Sequence, residues 1–333
     1  MALLLASNQT KMRPSMSTPV QSVNQCPACL ADAPRFAFES AAQMHPSAQP
    51  FSFSRCRECD LLFLSSRPLG AALKDFYPDT YLPYLGERAW GLFAPLVKWD
   101  QNRLDDRRVK AVLNAFALSQ SSRVLDVGCG KPTFLKRLQE KHGAECWGVD
   151  FNVSGWRNEE GMQALHLVEG DVVSAPLSGT FDVITLWHYL EHDPSPLETL
   201  RYLRRFSNPR TVLLVEVPNV QALSHRVFGA RWAGLHTPRH MALYSPGQLE
   251  QVLKRCGWSV TGAPEPGTLG AYLLWWLSLR EVFSTQWNRS MVRYLPGFLL
   301  WAVCLSPVLA LHAWTKDTVL LKATASDVLA KGG

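Results

Sequence analysis

From Arg123 onward, short runs of consecutive apolar residues alternate with segments whose apolar positions recur at helical spacing. RVLDVG, ECWGVDF, LHLVEGD, FDVITLW, TVLLVEVP and WSVTGA read as strands. TFLKRLQEKHG, SPLETLRYLRRF and SPGQLEQVLKRCG read as amphipathic helices, with a weaker helical stretch after GVDF. Strands this apolar are buried on both faces, so the alternation predicts an α/β fold: a doubly wound, mostly parallel sheet covered by helices on each side. Upstream, Trp90, Phe93, Leu96, Val97, Leu104, Val109, Val112, Leu113 and Phe116 repeat at helical spacing and predict two helices between residues 88 and 118.

A different pattern follows the sixth strand. LGAYLLWWLSL and LPGFLLWAVCLSPVLALHAW are apolar on all sides, and DTVLLKATA after them reads as a last strand lying beside the sixth. Neighbours in one sheet lie on one side of a membrane, so the chain between them crosses an even number of times or not at all. Arg280 and Glu281 cut the first run short, whereas Leu295 to Trp314 is about long enough to span, with a kink expected at Pro307. Between the runs Arg280, Arg289 and Arg293 alternate with Trp287, Met291 and Tyr294, a mixture suited to a membrane interface. The expectation is a monotopic helical hairpin in the cytoplasmic leaflet; the competing reading is a soluble lid or dimer interface. The division that results is a disordered tail over 1–22, a cysteine-bearing module over 23–85, a helical linker over 86–120, a core over 121–266, an apolar helical insert over 267–315, and the last strand with a tail over 316–333.

Composition narrows the class. A chain of 333 residues, 47% of them hydrophobic, has material for one large domain and a small accessory module. The net charge of +6 comes from scattered Lys and Arg with a modest cluster from Arg103 to Lys110. That distribution does not point to nucleic acid and suits an anionic membrane surface or an acidic substrate. Eight cysteines, with no basic stretch ahead of the short apolar run MALLLA, imply a reducing, cytoplasmic compartment, on the cytoplasmic membrane face where the insert is interfacial. The oligomeric state is left open.

Candidate chemistry begins at VLDVGCGKPTF. Ligands of open α/β sheets bind at the carboxyl ends of the strands, where bare backbone at Gly128 and Gly130 permits close approach. A dinucleotide fingerprint would place another glycine at 133, where Thr133 stands, which weakens a nicotinamide-dependent oxidoreductase reading. Pro132 fits the first turn of the helix that follows. Asp126 precedes the glycines, Asp150 ends the next strand, and Asp171 ends the third. A carboxylate has paired acceptors for two ribose hydroxyls at Asp150, and Asp171 could accept from an exocyclic amine of adenine. Each acid alone would be read as a helix cap or a solvated strand end; three at consecutive strand ends make a constellation.

Over about residues 123–260 the chain resembles class I S-adenosylmethionine-dependent methyltransferases, carrying VLDVGCG, GVDF, EGD, FDVITLWHYLEH and VEVPN in that family's order. The resemblance implies a seven-stranded sheet whose last two strands pair antiparallel, with S-adenosylmethionine as cofactor. It also implies Asp126, Gly128 and Gly130 around the methionine end, Asp150 on the ribose, Asp171 near adenine, and Phe151 and Val172 against the adenine ring. Pro132 and the turn FSNPR depart from the family's usual glycines. The LEH of LWHYLEHDPSP resembles a branch containing sugar C-methyltransferases and ubiquinone-type O-methyltransferases. Glu191 and His192 fall at the mouth of the cleft, where an imidazole can take a proton from a hydroxyl or carbon acid. The alternative is that His192 packs or caps while Glu191 bonds backbone. RWAGLHTPRHMALYSP adds Arg231, His236, Arg239, His240 and Tyr244, read either as a grip on an anionic acceptor or as loop anchors; His188 and His225 carry no site signal. The implied acceptor is a small molecule, lipid-linked, sugar or quinone-like, taking the methyl on O or C. A catalytically weakened binding protein is the other class in view.

Cys26-Pro-Ala-Cys29 and Cys56-Arg-Glu-Cys59 are two C-x-x-C knuckles with 26 residues between them. Together they complete a closed tetrahedral site for structural Zn2+, with no position left for water. The module resembles the zinc-binding N-terminal part of several methyltransferases of the same branch, with Asp60 in place of the glycine usual after the fourth cysteine. In that setting Tyr77, Tyr81 and Tyr84 would lie over the acceptor site, or else in the core. Cys129, Cys146, Cys256 and Cys304 read as buried packing.

Overall fold

The computed structural model describes residues 18–32, 34–77, 93–151, 153, 156, 159–283, 295–310 and 317–326. Tyr81, Tyr84, Trp287, Arg289, Met291, Arg293, Tyr294 and Trp314 lie outside the described residues. The N-terminal part supplies β1 (Val20–Ser22), β2 (Arg35–Ala41), β3 (Pro50–Arg55), β4 (Leu62–Leu64) and β5 (Ser66–Pro68). β1 pairs antiparallel with β5 and falls inside the stretch whose polar composition predicted a tail to residue 22. The order there comes from the partner strand, which composition does not register.

α1 (Ala94–Ala115) is one unbroken helix where two were predicted. It buries Asp105, Val109 and Val112 and stops where Phe116 turns extended. Then come β6 (Arg123–Val127), α2 (Thr133–His142), β7 (Glu145–Asp150), β8 (His166–Glu169), β9 (Val183–Trp187), α3 (Pro196–Arg204), β10 (Val212–Pro218), α4 (Leu223–Phe228), β11 (Ala242–Leu243), α5 (Pro246–Arg255), β12 (Trp258–Val260), β13 (Glu265–Pro266), α6 (Ala271–Val282), α7 (Leu295–Ala310) and β14 (Thr318–Ala325). No helix occurs among the described residues between β7 and β8, so the weak helical stretch predicted there does not form in them.

The central sheet runs β12-β14-β10-β9-β6-β7-β8, with the two-residue β13 added on β14. β6 to β10 are parallel, and β14 inserts antiparallel between β10 and β12, as expected for the last strand. Because β6 is flanked by β7 and β9, the strand order reverses beside it, and the glycine turn after β6 sits at that switch point. Gly143, at φ 70°, closes α2 in the left-handed conformation that a side chain disfavours.

The cysteine module does not stand apart. β11, from the core, pairs antiparallel with β4 and completes a second sheet, β11-β4-β3-β2. Cys26, Ala28, Cys56, Leu61 and Phe63 belong to the same buried cluster as Leu125, Val215 and Leu249. A segment with two knuckles and a three-stranded meander has little apolar surface of its own, and it borrows the core it lacks. The insert is divided between two settings. α6 docks on the protein through buried Leu274, Leu277 and Ser278, the Ser278 hydroxyl accepting the Ala233 N–H at 2.9 Å. α7 packs on α6 through Trp276, which lies 5.9 Å from both Phe298 and Trp301, while Leu300 and Val303 point outward. No helix of the described residues is long and apolar enough to cross a membrane. Cys304 is exposed on α7, against the expectation of buried packing, because the apolar face that carries it has no protein over it among the described residues.

Candidate active site

The turn after β6 holds two glycines in the left-handed region, Gly128 at φ 72° and Gly130 at φ 50°. They are used differently. A Cβ on Gly128 would lie 2.5 Å from Tyr189 Cδ2, so this glycine lets the Tyr189 ring close on the turn. A Cβ on Gly130 would meet nothing within 4 Å, so the backbone there faces open space. The Gly130 N–H donates to Asp150 Oδ2 at 2.9 Å, which ties the ends of β6 and β7 together. Pro132 sits just before α2 as its N-cap rather than inside the first turn, and its carbonyl accepts the Lys136 N–H.

Asp126 is buried and accepts a 2.7 Å hydrogen bond from the Thr185 hydroxyl on β9. Burial pushes its pKa up to about 7, against the smaller opposing effect of Thr185. Phe151 is 67% exposed, an aromatic face at the strand end with room for a partner ring. Asp171 is exposed, and its side chain accepts the Val173 N–H, the local cap that any such acid could make. Val172 turns inward to the core. Of the cofactor set, Asp126, Gly128, Gly130 and Asp150 therefore converge on one turn, with Phe151 beside Asp150 in sequence. An open glycine backbone, a strand-end carboxyl and an exposed aromatic ring fit an adenosyl compound.

The segment after β9 carries the next group. His188 has φ 55°, unusual for a residue with a Cβ, and this places its ring between two fully buried carboxyl groups. Its Nδ1 lies 3.2 Å from Glu191 Oε1 and its Nε2 3.2 Å from Glu216 Oε1. Burial alone would lower the His188 pKa, but the two acids outweigh it and raise the pKa to about 9. Burial likewise opposes ionisation of Glu216, yet His188 and the Thr268 hydroxyl bring its pKa down to about 2. The sequence assigned no role to His188; the structure makes it the cation that reconciles two buried acids.

His192, His236 and His240 come together, with ligand nitrogens all within 4.8 Å of one another. His236 Nδ1 and His240 Nε2 are 3.3 Å apart, and His192 Nδ1 is 3.1 Å from the Tyr77 hydroxyl. His240 Nδ1 donates to the Gly234 carbonyl at 2.8 Å, leaving Nε2 as the lone-pair nitrogen. Burial lowers the pKa of all three imidazoles, so they are neutral at pH 7. Glu191 lies beneath them, Oε1 being 4.0 Å from His240 Nε2, and its Oε2 is buried with no hydrogen-bond partner among the described residues.

Arg239 and Arg231 do not join this cluster as an anion grip. Arg239 is fully buried and donates to the carbonyls of Phe76, Gln43 and Met44; Arg231 donates to the Val282 carbonyl. Both serve as loop anchors, and Arg239 in particular fastens the cysteine module to the core. Tyr244 is buried and His225 donates to the Val220 carbonyl against Trp232, so neither takes part.

The four cysteines form a second centre. Cys26 Sγ and Cys59 Sγ are 3.6 Å apart, and Cys29 Sγ and Cys56 Sγ 3.4 Å. A tetrahedron of ~2.3 Å zinc–sulfur bonds has edges of about 3.8 Å, so the quartet is already close to that geometry. The knuckles are near-duplicates: Cys26 accepts the Leu30 N–H and Cys56 the Asp60 N–H, while Leu30 and Asp60 share left-handed φ of 61° and 56°. Asp60 thus takes the conformation that a glycine would adopt without strain, and its carboxylate meets Arg35 at 3.0 Å and Arg55 at 3.2 Å.

Residues 99–262 match the family model described as a methyltransferase domain. The chain thus carries a methyltransferase domain over these residues. Relatives of the methyltransferase domain include ubiquinone biosynthesis O-methyltransferases of Azoarcus sp. and Nitrosospira multiformis. The first is 26% identical over 152 residues, covering 40% of this chain and 63% of the relative. The second is 26% identical over 154 residues, covering 41% and 62%. The chain thus spans somewhat under two thirds of the length of these relatives. Among solved structures, the [4+2]-cyclase SpnF is similar at 20% identity and TM-score 0.47, over 66% of this chain and 80% of that one. A TehB-like SAM-dependent methyltransferase from Corynebacterium glutamicum is similar at 13% identity and TM-score 0.39, over 67% and 88%. Within the methyltransferase domain, the glycine turn was visible as a contiguous motif, whereas the role of His188 and the convergence of His192, His236 and His240 were not. The LEH and PRH motifs singled out the histidines one segment at a time, in two loops that follow adjacent strands, but not their meeting in space.

Proposed function

We propose that the chain transfers a methyl group from S-adenosylmethionine to an oxygen or carbon acceptor, with the donor on the Gly128–Gly130 turn and the acceptor at the histidine cluster. The observation that carries this reading is the glycine turn at the switch point of the sheet, open over Gly130 and braced by Asp150. S-adenosylmethionine supplies a methyl group on a sulfonium, which leaves by in-line displacement once donor and acceptor are aligned. Gly130 presents backbone to it, Asp150 and Asp171 serve the ribose and adenine edges, and Phe151 offers its exposed ring to the adenine, whereas Val172, buried in the core, supports the site from beneath. Asp126 lies under the methionine end. Tyr189, on Gly128, links the turn to Glu191 and His192 within one short segment. His192, neutral at pH 7, belongs to the imidazole cluster that relieves the acceptor of its proton, supported by Glu191 and His240.

The apolar helix α7 has no charged residue and points Leu300 and Val303 outward, which supports an amphiphilic or lipid-linked acceptor met at the cytoplasmic membrane surface. The ubiquinone-directed names of the relatives favour a quinone-like member of that class. Zn2+ on Cys26, Cys29, Cys56 and Cys59 is structural.

Calorimetric titration with S-adenosylmethionine tests the reading. Binding to the wild type is expected, with at least ~10-fold weakening in Asp150→Ala and near-normal affinity in His192→Ala, which loses ~10²-fold or more in turnover. Absence of binding to wild type, or an Asp150→Ala protein indistinguishable from it, removes the proposal.

A further inference from the structure

The three imidazoles at the acceptor end have the geometry of more than a base. They come from two segments far apart in the chain, His192 after β9 and His236 and His240 between α4 and β11, and folding brings their nitrogens within 4.8 Å. One edge of the group is already closed: His236 Nδ1 to His240 Nε2 is 3.3 Å, and a tetrahedron with ~2.05 Å metal–nitrogen bonds has edges of about 3.35 Å. His240 is held in the tautomer a ligand needs, its Nδ1–H on the Gly234 carbonyl, an outer-shell support of the kind that orients metal-bound imidazoles. His192 is oriented in the same manner by the Tyr77 hydroxyl at 3.1 Å. His236 sits at φ 42° and ψ 42°, a left-handed conformation that a residue with a Cβ disfavours and that persists here where it delivers the ring to the cluster.

The surroundings suit a cation in charge as well. The Glu191 carboxyl lies against the group, with one buried oxygen lacking a hydrogen bond among the described residues. The nearest cations are spoken for: His188 lies between Glu191 and Glu216, and Arg239 donates to three backbone carbonyls. Three histidines and no thiol favour a first-row divalent transition ion over magnesium or calcium, which prefer oxygen.

We infer that His192, His236 and His240 bind a divalent first-row transition cation, with one coordination position left open to an oxygen of the methyl acceptor. Three protein ligands plus an open position is the arrangement of reactive rather than structural metal sites. The acceptor class narrows to a hydroxyl-bearing compound, whose oxygen would lose its proton more readily on the cation than on an imidazole. This last step rests on the methyl-transfer reading; metal binding itself does not.

The experiment uses the full chain, stripped by chelator and reloaded with Co2+ or Zn2+, with metal per chain measured by mass spectrometry. Wild type is expected to hold two ions, one on the cysteines and one on the histidines. His240→Ala and, separately, His236→Gln are expected to hold one, with His236→Gln guarding against a folding defect in the buried His240 variant. In the Co2+ form of Cys56→Ser/Cys59→Ser, visible bands without intense sulfur charge transfer are expected, shifted by azide at the open position. A single ion in wild type, unchanged by either histidine substitution, overturns the inference and leaves the imidazoles as a hydrogen-bonded network. Bands indifferent to azide overturn the open position. S-adenosylmethionine titration of the same preparations separates the two readings, since cofactor binding without a second ion, or a second ion without cofactor binding, identifies which has failed.

Discussion

At the scale of single residues, the informative groups are ionisable side chains placed where water does not reach. Asp126 keeps its carboxyl under the glycine turn with a pKa raised to about 7 by burial. An acid whose folded pKa lies above its unfolded value weakens the fold progressively as pH rises between the two, here from about 4 to about 7. Asp126→Asn keeps an acceptor for the Thr185 hydroxyl and removes that effect. Its melting temperature should exceed that of wild type at pH 7.5 and converge with it near pH 4, while its affinity for a sulfonium cofactor falls; equal melting temperatures at pH 7.5 would contradict the assignment. His188 behaves in the opposite sense. Its folded pKa of about 9 lies above the ordinary 6.5, so the stability it contributes is fully present below pH 6.5 and is lost as pH rises through about 9. The shift corresponds to about 3 kcal/mol at most. His188→Gln leaves Glu191 and Glu216 without their shared cation and should lower the melting temperature at pH 7 by several degrees. Scanning pH from 6 to 10 should show a decline in wild type that the variant lacks. Nothing in a linear reading distinguishes His188 from other histidines, because its importance depends on a left-handed backbone and on Glu216 from a different strand.

At the scale of elements, the turn between β6 and α2 was legible because everything it needs is contiguous: a buried strand, glycines at 128 and 130, and a helix start. The acids at the ends of β7 and β8 were legible for the same reason, each one strand further on. The helices of the insert were legible as apolar but not in their partners. α6 proves to be a docked helix, bonded to the loop of His236 and His240 through Ser278 and Arg231, while α7 turns Leu300 and Val303 away from the protein. The apolar insert is therefore half docked helix and half outward surface. The proposed lipid contact of α7 predicts that the full chain floats with anionic phospholipid vesicles, and that Leu300→Glu/Val303→Glu abolishes flotation without a change in melting temperature, since both residues are exposed. Flotation unaffected by the double variant would locate membrane contact elsewhere, and no flotation of wild type would leave α7 for a protein partner.

At the scale of the whole molecule, the module and the core are mechanically one body. β11 closes the module's sheet, Arg239 spans to Gln43, Met44 and Phe76, and the knuckle cysteines share a buried cluster with the parallel strands. For the zinc proposed on the four cysteines, chelation should accordingly lower the melting temperature of the entire chain by roughly 10 °C or more rather than melt a separate small domain. Calorimetry with and without chelator checks this; two resolved transitions would contradict a shared core. By itself the sequence determined the parallel α/β sheet, the glycine turn with its acids, and the cysteine quartet, since each is written in spacings within a short segment and follows from local geometry. Only the tertiary structure decided that the module is built into the core, that His188 reconciles two buried acids, and that three histidines from two loops share one small space. Those outcomes depend on which strands become neighbours and on backbone conformations with positive φ, and neither quantity is carried by the order of residues along a line.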